Sequence, residues 1–284
     1  MVPHYQCDVC PCLEQIASTV SQVCGVILLS SDREFTESFI ATQNNPDHFT
    51  IVTAPLDTPW IHDRSPIALK TSTGFEWISP NAGMPERKHD NKLFDLISAN
   101  PIHKPPIKHI AHGNLIAGAK GLAFATRQIL IENKLSLGEL NNHKHSMGIS
   151  HWEVFPEFKN EQSGHADVHV RVLKPKLFAV AWNLSVKNDR EKINKLINQI
   201  KKIQPGATVL KIPVRSKGKL YASLVNWIQI GKHLIIPRFP MTKQTDVIAT
   251  KCLLEKYGFK VKFIYSPTTE QYGSLHCLTA SIFT

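Results

Sequence analysis

The chain lacks a long hydrophobic run. No apolar stretch approaches the roughly 18 residues that a membrane-spanning helix needs. Its start, Met1-Val2-Pro3-His4-Tyr5-Gln6-Cys7-Asp8, has neither the basic opening nor the apolar stretch of a secretory leader. A cytoplasmic protein is the expectation. Also missing is any segment that interleaves basic and aromatic side chains, although Lys and Arg (33) outnumber Asp and Glu (23) to give a net charge of +10. The lysines are dispersed (Lys192, Lys195, Lys217, Lys219, Lys260 and Lys262 among them), the pattern of a solvated basic surface rather than a nucleic-acid platform. There is no paired cysteine framework either. Four of the six cysteines, Cys7, Cys10, Cys12 and Cys24, crowd near His4, but Cys-x-x-Cys-x-Cys without a second pair completes no four-ligand spacing. Residues 1–22 read as a loosely ordered segment of reduced thiols, with no metal expected. Cys252 falls in a helical pattern and reads as core. Cys277 stands apart from all of these.

What is present is a chain of 284 residues, 42% hydrophobic and 20% charged, enough for a substantial core. Val23–Leu29 reads as a buried strand, Ser31 or Asp32 caps a helix through about Thr42, and Phe49–Thr53 is a second strand. A repeating order then begins: hairpin, helix, returning strand. The first unit has strands Ser65–Lys70 and Phe75–Ser79 around a turn at Gly74, a helix near Asn91–Ala99 and strand Ile107–Ala111. The second has strands Gly113–Ala117 and Leu122–Thr126, a helical region Gln128–Asn141 that splits at Gly138, and strand Ser150–Val154. The third has strands Val168–Leu173 and Leu177–Trp182, helix Asp189–Ile203 and strand Thr208–Ile212. The fourth has strands Leu220–Ile230 and His233–Pro237, helix Thr245–Tyr257 and strand Lys260–Tyr265.

Unit starts near 61, 113, 168, 222 and 274 are roughly 52–55 residues apart, the fixed period of a repeat architecture. The fifth start has room for one strand only, Gly273–Phe283, and its missing strand, helix and strand are those of Val23–Thr53. The expected fold is therefore an α/β ring of five ββαβ units, closed by joining the two ends of the chain, with residues 23–284 as one domain. Equivalent hairpin starts face the axis of such a ring. They carry Trp60 and Asp63, His112 and Asn114, His165 and Asp167, Asn226, and His276 and Cys277. Alternation along a strand puts His276 on the opposite face from Cys277. Taken singly these residues have plainer readings: Asp63 a turn residue, His165 a satisfied surface histidine, Trp60 packing, Cys277 a small buried side chain. Their common phase in the repeat favours a site.

Four stretches resemble, in order, the motifs of the agmatine deiminase and bacterial-type peptidyl-arginine deiminase family. Trp60-Ile61-His62-Asp63-Arg64-Ser65-Pro66 is similar to its Trp-x-Arg-Asp-x-Gly-Pro, and Gly164-His165-Ala166-Asp167 to its Gly-His-x-Asp. Ser223-Leu224-Val225-Asn226 is similar to its Ser-x-x-Asn, and Gly273-Ser274-Leu275-His276-Cys277 to its Gly-x-x-His-Cys. The resemblance covers residues 23–284 and implies the pentein fold, a five-bladed α/β propeller, and hydrolysis of a guanidine to a ureido group plus ammonia with no cofactor. It implies Cys277 as nucleophile, His165 as acid and base, and Asp63 and Asp167 as clamps on the guanidinium. Trp60 and Asn226 would bind substrate, with His112 and Asn114 nearby. These types suit the chemistry: carboxylates match the N–H fork of a guanidinium, and a nearby cation favours thiolate. The substrate would be a small guanidine such as agmatine, or an arginine side chain of a protein. Family members tend toward homo-oligomers.

The chain departs from the motifs at several points. His62 stands where the family has arginine, Ser65 where it has glycine, and Ala111-His112-Gly113-Asn114 where many members have Glu-Gly-Gly-Asn. The acidic residue that often precedes Gly-His-x-Asp is Ser163. With the glutamate gone, His112 is the candidate partner for His165. Competing readings are a non-catalytic pentein that binds RNA, the ribosome or a protein, and an amidinotransferase. A cysteine protease is disfavoured, because an aspartate pair suits a cation better than an oxyanion.

Overall fold

The described residues form five small sheets, built from β-branched and aromatic runs. The computed structural model describes residues 5–70, 75–79, 87–92, 102–103, 107–158, 161–266 and 273–281. Helix α1 (Tyr5–Val20) comes first and carries Cys7, Cys10 and Cys12. A loosely ordered thiol segment is not what forms there. Cys12 and Ile16, one turn apart, are buried against Ile228, Ile235, Ile264, Leu275 and Leu278. Burial pushes the Cys12 thiol up to about 11 against an opposing hydrogen bond from Ser266, so it acts as a small inert hydrophobe.

Strands β1 (Val26–Ser30) and β2 (Phe49–Thr53) pair in parallel across α2 (Arg33–Ala41). The Asp32 carboxylate caps α2, accepting the Phe35 N–H at 3.0 Å. In the next sheet β3 (Ile67–Lys70) and β4 (Phe75–Ile78) are antiparallel, and β5 (Ile102–His103) returns parallel to β4. The returning strand thus lies earlier than Ile107–Ala111, whose Ile107 and Ile110 are instead core residues of the following unit. The Gly74 turn and most of the helix expected at Asn91–Ala99 lie outside the described residues; 87–92 form short 3₁₀ turns.

The third sheet has β6 (Ile116–Ala117) antiparallel to β7 (Leu122–Thr126) and β8 (His151–Phe155) parallel to it. Between them α3 (Gln128–Asn133) and α4 (Leu137–Asn142) divide before Gly138. The break comes where Lys134 turns left-handed and Ser136 and Glu139 form a capping box. The fourth sheet joins β9 (Val170–Lys174), β10 (Leu177–Asn183), β11 (Thr208–Lys217) and β12 (Leu220–Ser223), with α5 (Lys187–Ile203) in the crossover. Ile193, Leu196, Ile197 and Ile200 of α5 repeat at helical spacing and pack on Phe124, Phe178 and Val180. The last sheet holds β13 (Ile228–Ile230), β14 (His233–Arg238) and β15 (Lys260–Tyr265), with α6 (Gln244–Lys256) crossing between the parallel pair. On α6 the inward residues are Val247, Thr250 and Leu254, which leaves Cys252 exposed rather than in the core.

Two expected strands are reorganised, and both matter for function. Leu220–Ile230 is not one strand: β12 and β13 belong to different sheets, separated by residues 224–227. Gly273–Phe283 forms no strand in its described part; residues 275–278 are a turn, and Ile282 and Phe283 lie outside the described residues. No helix among the described residues is long and apolar enough to cross a membrane.

Candidate active site

Each hairpin begins in a tight turn. Three are 3₁₀ turns, Ile61–Arg64, His112–Asn114 and Ala166–Val168, which run into β3, β6 and β9. The fourth is the break at 224–227 before β13, and the fifth is the turn closed by Leu278 N–H on the Ser274 carbonyl (3.1 Å). A tight turn does not alternate its side chains as a strand does, and this corrects the placement of His276. The His276 Nδ1 lies 2.8 Å from Asp167 Oδ2, and the Cys277 thiol donates to the same oxygen at 3.5 Å. Neighbours in sequence therefore meet on one carboxylate.

His165, Asp63 and Asp167 converge over Gly113. A Cβ on that glycine would stand 2.7 Å from His165 Nδ1, 3.1 Å from Asp63 Oδ1 and 3.4 Å from Asp167 Oδ2. His165 and Asp63 form an ion pair at 3.3 Å. The expected His112–His165 partnership does not form. The His112 ring nitrogen Nδ1 bonds the Ser65 hydroxyl at 2.7 Å instead, and its ring stacks on His62 at 4.4 Å. Three of the departures from the family motifs, His62, Ser65 and His112, thus touch one another as a group.

Asn226 is fully buried and serves the Cys277 turn. Its side-chain N–H reaches Cys277 Sγ at 3.4 Å, and its Oδ1 accepts the His276 N–H at 3.2 Å. Asn114 is also buried. Its Oδ1 accepts from the Thr126 N–H (2.8 Å) and hydroxyl (3.1 Å), and the same hydroxyl donates to the Gly164 carbonyl. Through Oδ1 it braces the His165 loop by way of Thr126. Trp60 packs its indole on Gly273, where a Cβ would come within 2.5 Å of the ring, so its partly buried face supports the Cys277 turn.

Two contributors were invisible in the motifs. Arg87, buried, donates to the Trp60 carbonyl at 2.5 Å and to Asp90 at 2.9 Å, and pairs with Asp63 Oδ2 at 3.4 Å. It brings a guanidinium to Asp63 from 24 residues downstream, although the motif arginine is His62. Glu161 takes the place of the acidic residue missing at Ser163. Its carboxylate accepts both the Ser163 hydroxyl (2.6 Å) and the Gly164 N–H (2.8 Å), and it lies 3.7 Å from His169. The nearest sequence signal was an acid two residues from the expected position.

Electrostatics divide the site into two halves. Burial alone would lower the His165 pKa, but the charges of Asp63, Asp167 and Glu161 outweigh it and raise it above the ordinary histidine value. Burial and then the Asp167 and Asp63 charges push the Cys277 thiol well above its ordinary value, despite hydrogen bonds from Ser274 and Asn226. The thiol is thus held protonated. On the other side, burial keeps His62 and His276 well below the ordinary range and brings His112 to about 4. These three imidazoles are neutral near pH 7.

A family model described as Porphyromonas-type peptidyl-arginine deiminase matches residues 2–282. Among solved structures, an agmatine deiminase of C. jejuni is 18% identical with a TM-score of 0.78, over 98% of this chain and 87% of that one. An agmatine deiminase of Enterococcus faecalis is 13% identical with a TM-score of 0.80, over 95% and 86%. A dimethylarginine dimethylaminohydrolase adduct is 13% identical with a TM-score of 0.55, over 81% and 82%. These likenesses establish a mixed α/β fold of the pentein deiminase kind. No curated protein sequence matches this chain.

Proposed function

The chain belongs to the Porphyromonas-type peptidyl-arginine deiminase family, and from that premise we propose that it hydrolyses a guanidinium group to a ureido group and ammonia, with Cys277 as nucleophile. The observation that carries this reading is the convergence of Asp63, Asp167 and His165 over Gly113, with the Cys277 thiol on Asp167. Neighbouring carboxylates repel one another, and a planar cation with paired N–H groups relieves that repulsion while satisfying them. The buried Asp167 Oδ1, which has no hydrogen-bond partner among the described residues, is an acceptor in waiting.

Binding and activation are one event in this scheme. The raised thiol pKa comes from burial and two negative charges, so a guanidinium placed on those charges favours loss of the thiol proton to solvent. Thiolate attacks the central guanidinium carbon to form a tetrahedral adduct. His165, kept protonated by its acidic neighbours, gives a proton to the departing ammonia. The resulting S-linked thiouronium is attacked by water, one of whose protons returns to His165, and collapse passes the adduct's hydroxyl proton to the leaving sulfur, releasing the ureido product and regenerating the Cys277 thiol. Asn226 orients the sulfur throughout. The five sheets support a five-bladed ring about an axis through this site, closed by His62 N–H on the Cys277 carbonyl at 3.1 Å.

Agmatine and peptidyl arginine are the two substrate classes proposed, and ammonia release separates them. Assays on agmatine, free arginine and an arginine peptide should show one class preferred, with release lost by at least about a thousandfold in Cys277→Ser. Equal background release in both proteins on every substrate would sink the proposal and leave a non-catalytic binding role.

A further inference from the structure

Sharing Asp167 with the guanidinium clamp is a cluster that adds two histidines, His62 and His276, which the deiminase chemistry leaves unused. His62, His276 and Asp167 each offer a ligand atom, and the three atoms lie within 4.8 Å of one another. We propose that this cluster is a binding site for a zinc-class divalent transition metal, and that metal and guanidinium exclude one another there because both require Asp167.

The donor set fits such an ion. Two imidazoles and a carboxylate are ligands of the borderline metals, with a fourth position left for solvent or another donor. The His62 tautomer is set by its second nitrogen: Nδ1 lies 2.9 Å from the Thr279 carbonyl, which can only accept, so Nδ1 carries the hydrogen. That leaves the Nε2 lone pair free, and this atom is buried without a hydrogen-bond partner among the described residues. A carbonyl behind a ligating histidine is the usual outer support of a metal-bound imidazole. Asp167 Oδ1 is likewise buried and unpartnered. Two orphaned buried acceptors, on separate turns of the chain, are what a cation would satisfy.

The geometry needs a contraction. Ligand atoms around tetrahedral zinc stand about 3.3 Å apart, from bonds of roughly 2.0 Å, against the 4.8 Å limit here. His276 can supply it: its side chain keeps 15% exposure while Asp167 has none, and its ring tilts against His62 at 3.9 Å without being enclosed. The same edge gives an ion its way in. His62 is held from the far side by the stacked ring of His112 and, through it, Ser65. The three residues that replace the family motif therefore build and brace one ligand. Cys277 Sγ, 3.5 Å from Asp167 Oδ2, lies close enough for a bound metal to shield it from substrate.

The metal itself is the probe, and its binding is read without any enzyme assay. Full-length protein is titrated with Co²⁺, following visible absorption, and with Zn²⁺ by equilibrium dialysis and metal analysis. One ion per chain is expected, with affinity falling at least tenfold in His62→Gln and in His276→Gln. Both variants are checked for folding by circular dichroism, and either alone suffices if the other fails to fold. No binding, or binding unchanged in the folded variants, would overturn the site. A second arm adds agmatine or an arginine peptide during the titration and expects a weaker apparent metal affinity. This arm rests on the deiminase reading. Metal that binds at the cluster but ignores every guanidine overturns the exclusion, while failed ammonia release from metal-free protein counts against the deiminase reading alone.

Discussion

Gly113 is the residue on which the site closes, because the space above its Cα is already taken. A methyl there would sit 2.7 Å from His165 Nδ1 and 3.1 Å from Asp63 Oδ1, closer than real contacts allow, so the clamp must spread. Gly113→Ala should lower kcat/KM by about a hundredfold or more, since displacement of roughly 1 Å at a reacting centre costs that much. Steady-state kinetics beside a thermal melt would check it: a large kinetic loss with a small Tm change is the expected pair, and unaltered kinetics would deny the convergence. That Asp63, Asp167, His165 and Cys277 come together was legible in the sequence, because they recur in phase and sit in ordered motifs. Arg87 was not, because nothing local marks a side chain that reaches Asp63 and Asp90 by folding back over 24 residues. His276 was misplaced for a related reason. The alternation rule holds only for strands, and its segment is a turn.

At the scale of elements, the hairpin-and-return order could be read from periodicity alone, as β14, α6 and β15 illustrate with boundaries within one residue of expectation. The unreadable part was where a continuous apolar run changes sheet. Leu220–Ile230 looks like one strand, yet β12 completes the sheet of β11 while β13 starts the sheet of β14. Non-local pairing decides that, and a single strand's composition carries no trace of its partners. The break is fastened by the buried Ser223, whose hydroxyl donates to the Val168 carbonyl at 2.6 Å, tying the Asn226 turn to the Asp167 turn. Ser223→Ala removes that donor and leaves the carbonyl unpaired, at a cost of about 1–3 kcal/mol. Urea unfolding should show this loss, together with slower Cys277 alkylation by a cationic haloacetamidine. Stability unchanged within error would mean that the fastening does not matter.

For the molecule as a whole, the neutral histidine group sets an acid limit. The His112 pKa is about 4 in the native protein against an ordinary value of 6.5. Between those values the unfolded chain takes up a proton that the native state refuses, so stability is full above pH 6.5 and falls as pH drops toward 4. His112 alone accounts for something of order 3 kcal/mol, and His62 and His276 act in the same direction. Tm measured from pH 7 to 4.5 should fall, and the fall should be shallower in His112→Gln; parallel curves would contradict the assignment.

The five turns that supply the site belong to five regions of the chain, and their cross-links are long: His62 Nδ1 reaches the Thr279 carbonyl across 217 positions, and Asp167 reaches Cys277 across 110. Contacts of such sequence separation bring the greatest loop-closure cost and form last during folding. Each sheet, by contrast, is largely local in sequence. After dilution from denaturant, far-UV circular dichroism, which reads the locally paired strands and the helices, should therefore recover before ammonia release does. The lag between the two traces would time the docking of the five turns on one another.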